Sequence, residues 1–355
     1  MSRQSTLLEF SAELSTCMVI DFLLNMGSYQ ATFVRVCGTG AQPVVLNEAR
    51  HVKTIRSKVC GGGEIRLWVI GAPGSTWAPT LINKKHCPSV PLLKSHLQKA
   101  IRRTEVAAAI DGATRLLQID RTALFRRLIV IMIEDCCLQT SCPLIVWLMM
   151  AGPAFVMTTK IYSIVCGVVE ALALESRIFL TSYKPSTLPS VTQVYNKLVT
   201  PFADAVLALQ IRLEYGGRKC DMQLMSKAIE YYYYVPDFIS NPRIDFAAHT
   251  APLMLNLNYE VLPCAYDHHC FPGLIRELSV KTGLASSDIK TLIWSSQSGL
   301  NFRKAHTIHK AQIAKGCSEY QAIIQHMKRF RLERENERIQ GDCRQVLRNV
   351  PGVFP

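Results

Sequence analysis

Nothing in this chain completes a P-loop. Two glycine-rich turns occur, GAPGS at Gly71–Ser75 and GGGE at Gly61–Glu64. Neither is followed by the Lys and Ser or Thr that hold the β and γ phosphates and the magnesium ion, so both read as ordinary turns. No G-x-S-x-G nucleophile elbow occurs either, and no local motif organises a serine or cysteine for nucleophilic attack. The opening MSRQSTLLEF lacks a basic region followed by an apolar core, so no signal peptide is expected. Long unbroken apolar runs are missing too. The 24 residues from Cys136 to Thr159 carry no formal charge, yet polar residues, Pro143, Gly152 and Pro153 interrupt them, and two short core helices are expected there in place of a membrane span.

Acidic residues are also scarce. Against 40 Lys and Arg stand 27 Asp and Glu, a net charge of +13 over 355 residues. The excess is local: Lys94 to Arg127 carries eight basic and three acidic residues, and Asn301 to Arg348 eleven and five. Such concentrations attract polyanions, chiefly nucleic acid, because phosphate neutralisation releases counterions. Hydrophobic residues make up 49% of the chain, enough for a sizeable core. The thirteen cysteines are odd in number, irregularly spaced and often inside apolar runs. They read as buried reduced thiols, which implies an intracellular, reducing compartment: nucleus, cytoplasm or a viral factory.

The hydrophobic pattern predicts a mainly α chain with a small α+β unit at its start. Within residues 1–90, Cys17 to Met26 suggests a helix, whereas Ala31 to Cys37 (ATFVRVC) and Glu64 to Ile70 (EIRLWVI) alternate as strands do. A Pro-rich connector follows. Residues 91–180 form a helical module: a helix pair over Leu92 to Ile119 with Thr104 as N-cap of its second member, a helix opened by Asp120 and running through LFRRLIVIMIED, and helices near Leu144 to Met150 and Thr159 to Leu174. Residues 190–300 continue with an amphipathic stretch from Val191 to Leu213, a helix ending at Tyr231 to Tyr234, an irregular segment, and helices at Pro272 to Thr282 and Ser286 to Ser295. Residues 301–355 read as a basic, charged helical tail.

Few residues suggest chemistry. Cys264, His268, His269 and Cys270 lie within seven residues, a density at which zinc can bind, but no C-x2-C pair accompanies them. A structural turn is the expected reading there, with no metal and no cofactor. Glu134 and Asp135 are adjacent on an apolar helix, where neighbouring positions point about 100° apart and make a poor carboxylate dyad. A structural role is expected, pairing with Arg126 or Arg127 or capping the next helix. Trp294, Asn301, Phe302, Arg303 and Lys304 combine an aromatic and basic side chains suited to stacking on bases and contacting phosphates.

Leu97, Lys99 and Arg102 or Arg103, then Ala107 to Ile110, then Arg126, Arg127, Leu128, Glu134 and Asp135 together resemble the helical C-terminal region of the RarA and Werner-interacting clamp-loader-like ATPases. The resemblance implies a clamp-loader-collar-like module, oligomerisation and a role beside DNA. It does not extend to ATP hydrolysis, since no P-loop precedes the module. A second likeness, carried by EDCCL, PLIVWLMMAG, DHHCFPGLI and NFRK, is to uncharacterised proteins of large DNA viruses and implies no activity. The expected function is a noncatalytic DNA-associated accessory protein of replication, repair or recombination, with DNA favoured over RNA and self-association expected. Phosphate contacts are assigned to Lys99, Arg102, Arg103, Arg126, Arg127, Arg303, Lys304, Lys328, Arg329 and Arg331. Two alternatives stay open: a structural or assembly protein of a large DNA virus, and a metal-dependent nucleic-acid enzyme.

Overall fold

The computed structural model describes residues 19–36, 46–56, 63–72, 74–78, 88–175, 188–189, 191–242, 244 and 272–290. Its first element is a strand where the apolar run at Cys17 to Met26 suggests a helix. β1 (Val19–Asn25) pairs on one side with β2 (Gln30–Val36), antiparallel, and on the other with β4 (Glu64–Ile70), parallel. β3 (Arg50–Arg56) closes the sheet antiparallel to β4, giving the order β2-β1-β4-β3. A central strand covered on both faces is apolar at almost every position, so its sequence cannot be told from a buried helix by periodicity.

Parallel register sets Phe22 beside Leu67 and Asp21 beside Arg66. One face therefore carries Ile20, Phe22, Leu24, Ile65, Leu67 and Val69, all buried. On the other, the Asp21 carboxylate, also buried, accepts two bonds from Arg66 at 2.8 Å and a third from the Trp68 indole at 2.8 Å. Edge strand β3 shows no clean alternation of buried and exposed residues, which explains why RHVKTIR does not announce itself as a strand.

The helices follow in order: α1 (Val90–Arg102), α2 (Val106–Ile119), α3 (Arg121–Asp135), α4 (Cys142–Ala151), α5 (Thr159–Leu174), α6 (Val191–Lys197), α7 (Phe202–Glu214) and α8 (Lys219–Tyr234). α4 is the hub. All ten of its residues are buried, and its Trp147 indole donates to the Phe22 carbonyl at 3.1 Å, tying the helix to the sheet. The chain is thus mainly helical with a small four-stranded sheet at its N-terminal end. Among the described residues, no helix is long and apolar enough to cross a membrane.

Local chemistry sets some of the helix ends. Asp120 caps α3, accepting from the Ala123 N–H at 2.9 Å, as expected of a short acidic side chain before a helical run. Thr104 does not cap α2. It sits at φ +61° and Glu105 takes the N-cap position, while the Thr104 hydroxyl donates back to the Arg103 carbonyl. Pro201 divides the Val191 to Leu213 stretch into α6 and α7, since proline lacks the N–H a continuous helix needs. The GAPGS turn anchors a helix start, its Ser75 carbonyl accepting the Thr159 N–H at 2.9 Å where α5 begins. Nearby, Trp77 stacks on Tyr162 with ring centroids 4.8 Å apart.

α7 buries Asp204, whose carboxylate accepts from the Tyr195 hydroxyl at 3.0 Å. Burial pushes the Asp204 carboxyl up to about 6, against the hydrogen bonds from Tyr195 and the Phe33 backbone. The folded chain therefore holds this proton more tightly than the unfolded chain, where an aspartate titrates near ~3.9. Its contribution to stability is fully present below about pH 4 and is lost as pH rises towards about 6. The stability difference between Asp204→Asn and the native chain is expected to shift in the variant's favour across that window, measured by urea unfolding at successive pH values. A difference independent of pH contradicts the assignment.

The chain divides into two compact units, residues 1–260 and 261–355. The second contains α9 (Pro272–Thr282), where the pattern predicts it, and a further helix resuming at residue 286. Ile275, Leu278 and Ile289 are its buried apolar residues among those described. Of the cysteines described, Cys136, Cys137, Cys142 and Cys166 are buried free thiols and Cys220 is exposed. Cys264, His268, His269, Cys270, Trp294, Asn301, Phe302, Arg303, Lys304, Lys328, Arg329 and Arg331 lie outside the described residues.

Candidate anion-binding cleft

Lys94, Gln98 and Arg102 recur every fourth residue along α1 and so share one face of it. That face lies along α3. The Gln98 amide donates to Asp135 Oδ2 at 2.7 Å and Glu134 Oε2 at 2.9 Å, and its oxygen accepts from Arg127 at 3.2 Å. Arg102 donates through Nε to Asp135 Oδ1 at 2.5 Å, and its NH2 stands 3.4 Å from Glu134 Oε1. Low numbers on α1 meet low numbers on α3 and high meet high, so the two helices run in the same direction, with α2 returning between them.

Glu134 and Asp135 hold Arg102 and Gln98, which arrive from α1. Arg127, about two turns back on the same helix, acts on Glu134 through its charge and donates to the Gln98 oxygen. Arg102 pairs with both carboxylates. Asp135 is the last residue of α3, so its carboxylate joins that of Glu134 on the same two partners despite their adjacent positions. Burial, and then the neighbouring Asp135, push the Glu134 carboxyl above the usual range.

The same packing separates the basic residues by role. Lys99 and Arg102 are buried, with Arg102 committed to the two carboxylates, and Arg103 ends α1 half-buried. Arg126 and Arg127 take a different position. They line a concavity of about 330 Å³ together with Lys94, Arg212 and Arg218, opposed by Asp120 and Asp221. Three helices begin at this cleft: α1 at Val90, α3 behind its cap Asp120, and α8 behind Arg218. Helix N-termini carry partial positive charge and unpaired N–H groups, and neither Ser89 nor Arg218 caps its helix through a side-chain hydrogen bond.

The cations are held in place. The Gly216 carbonyl accepts from Arg212 NH1 at 2.7 Å and from Arg126 NH2 at 3.0 Å, pinning two guanidinium groups at one point. Gly216 adopts φ +79°, a conformation open to glycine and strained for other residues. Arg126 also lies over the Tyr215 ring, 5.6 Å from its centroid. Mutual repulsion adds to the cost of burial. Burial, then the Arg127 charge, push the Lys94 ammonium down, and burial, then Arg126, push Arg212 down to about 10. A concave site with five cations, two carboxylates and converging helix N-termini favours phosphate groups.

Arg126 and Arg127 are thus brought together with three groups that the sequence does not mark as a set. Arg212 and Arg218 flank the Gly216–Gly217 turn, and that GGRK signal at a helix start is the feature that could have found them. No protein-family model, no curated protein and no solved structure matches this chain.

Proposed function

We propose that this chain is a noncatalytic DNA-associated accessory protein that holds nucleic-acid phosphates in the cleft where α1, α3 and α8 begin. The observation that supports this reading is the convergence of Lys94, Arg126, Arg127, Arg212 and Arg218 on one concavity with two opposing carboxylates. An excess of three positive charges in one hollow is costly unless an anion offsets it. Nucleic acid suits a chain of net charge +13 and is the polyanion named by the likeness of the α1–α3 segment to clamp-loader-like proteins. The Arg102–Asp135 cluster serves the cleft indirectly by packing α1 on α3 and orienting Arg127 through Gln98.

Fluorescence anisotropy with labelled single- and double-stranded DNA tests the reading. Association at ~50 mM salt that weakens steeply as salt rises is expected. Absence of association with either DNA at that salt overturns it.

A further inference from the structure

We infer that the cleft is a receptor for a terminal phosphate, a phosphomonoester dianion, which it prefers to the internal diesters of a nucleic-acid strand. This rests on the reading of the cleft as a phosphate site and specifies which phosphate it takes.

Arg212 carries the inference. Its side chain is 2% exposed and lines the cleft, and its Nε has no hydrogen-bond partner among the described residues. Among those residues no carboxylate comes within ion-pair distance of it. Buried charges in proteins are ordinarily paired, so this guanidinium is a cation whose counter-charge is still to be supplied. Neither carboxylate at the cleft forms an ion pair with it: Asp120 is engaged as the α3 cap, and Asp221, in the first turn of α8, favours the Arg212 charge only from a distance. Gly217 also lines the cleft, and a side chain there would begin 3.7 Å from Arg212 NH2, so glycine keeps the space beside that guanidinium open.

Depth then selects the ligand. An internal diester carries one charge, has two esterified oxygens and continues as sugar on both sides, so bringing it to a buried guanidinium means bringing two flanking sugars into about 330 Å³. A monoester has one ester link, three free oxygens and roughly two negative charges at neutral pH, which matches forked arginine donors approaching from several directions. The end of a strand and a small phosphorylated molecule share this chemistry.

The test uses the full chain and one oligonucleotide made with a 5′-phosphate, a 3′-phosphate or hydroxyl ends, with inorganic phosphate and pyrophosphate as competitors. A phosphate-ended strand is expected to bind about tenfold tighter than the hydroxyl-ended one, the gain of one further charge-assisted contact. Pyrophosphate is expected to remove that advantage. Arg212→Met is expected to abolish the preference. Arg218→Ala, at an exposed position that cannot upset the core, is expected to reduce it, while Lys197→Ala, away from the cleft, retains it. Equal affinity for all ends with no competition by pyrophosphate overturns the inference and leaves the DNA reading standing. Thermal stabilisation by pyrophosphate that is lost in Arg218→Ala, without binding of any oligonucleotide, supports a small phosphorylated ligand and overturns the DNA reading. No response to any of these probes overturns both.

Discussion

Asp135→Ala is expected to lower the stability of the first unit by about 3–5 kcal/mol, the cost of breaking a buried ion pair from one side. The Asp135 carboxylate is 1% exposed and takes bonds from Arg102 and Gln98. Its removal leaves Arg102, 8% exposed, without its nearest carboxylate and facing the more open Glu134 carboxylate at 3.4 Å. The remaining charge is costlier than the lost bond, so the paired replacement Asp135→Leu with Arg102→Met is expected to recover most of the loss. Urea unfolding of the four proteins of this double-mutant cycle measures the coupling directly. A loss below about 1 kcal/mol for Asp135→Ala contradicts the role assigned to the pair and places it in the range of surface ion pairs.

The second large effect concerns binding. Reversing two cleft charges, Lys94→Glu with Arg126→Glu, is expected to weaken DNA association by about 10²- to 10⁴-fold at low salt. Each charge-assisted contact contributes about 1.5–3 kcal/mol, and each 1.4 kcal/mol is a factor of ten. Both side chains are half-buried at the cleft. Circular dichroism at the native level separates loss of the site from loss of the fold. Unchanged affinity in a folded double variant removes the cleft from the proposed function.

How much of this is legible without the structure depends on the range of the interactions. Where side chains act on their own backbone, the pattern is readable: the Asp120 cap, the helices Thr159–Leu174 and Pro272–Thr282, and the strand Glu64–Ile70 stand as the sequence implies. β1 is misread because a strand covered on both faces is apolar at most positions, and β3 is missed because none of its residues is buried. Thr104 has the chemistry of a cap but not the backbone, sitting at φ +61°.

The cleft is only half legible. The basic run from Lys94 to Arg127 is plain, but its division into buried and cleft-lining members follows from α1 packing parallel to α3. The Lys94–Gln98–Arg102 stripe is visible in the sequence and points at that packing. Arg212 and Arg218 arrive from the turn between α7 and α8, a long-range meeting that no local pattern encodes.

The most direct test of the phosphate-binding cleft is the salt dependence of DNA affinity, measured side by side for the native chain and the Lys94→Glu, Arg126→Glu variant. Each neutralised phosphate contributes a slope of about −0.9 in log affinity against log salt on duplex DNA. A native slope of roughly −3 or steeper is expected, with the variant shallower by about 2. Equal slopes in the two proteins contradict a cleft that binds DNA through its phosphates.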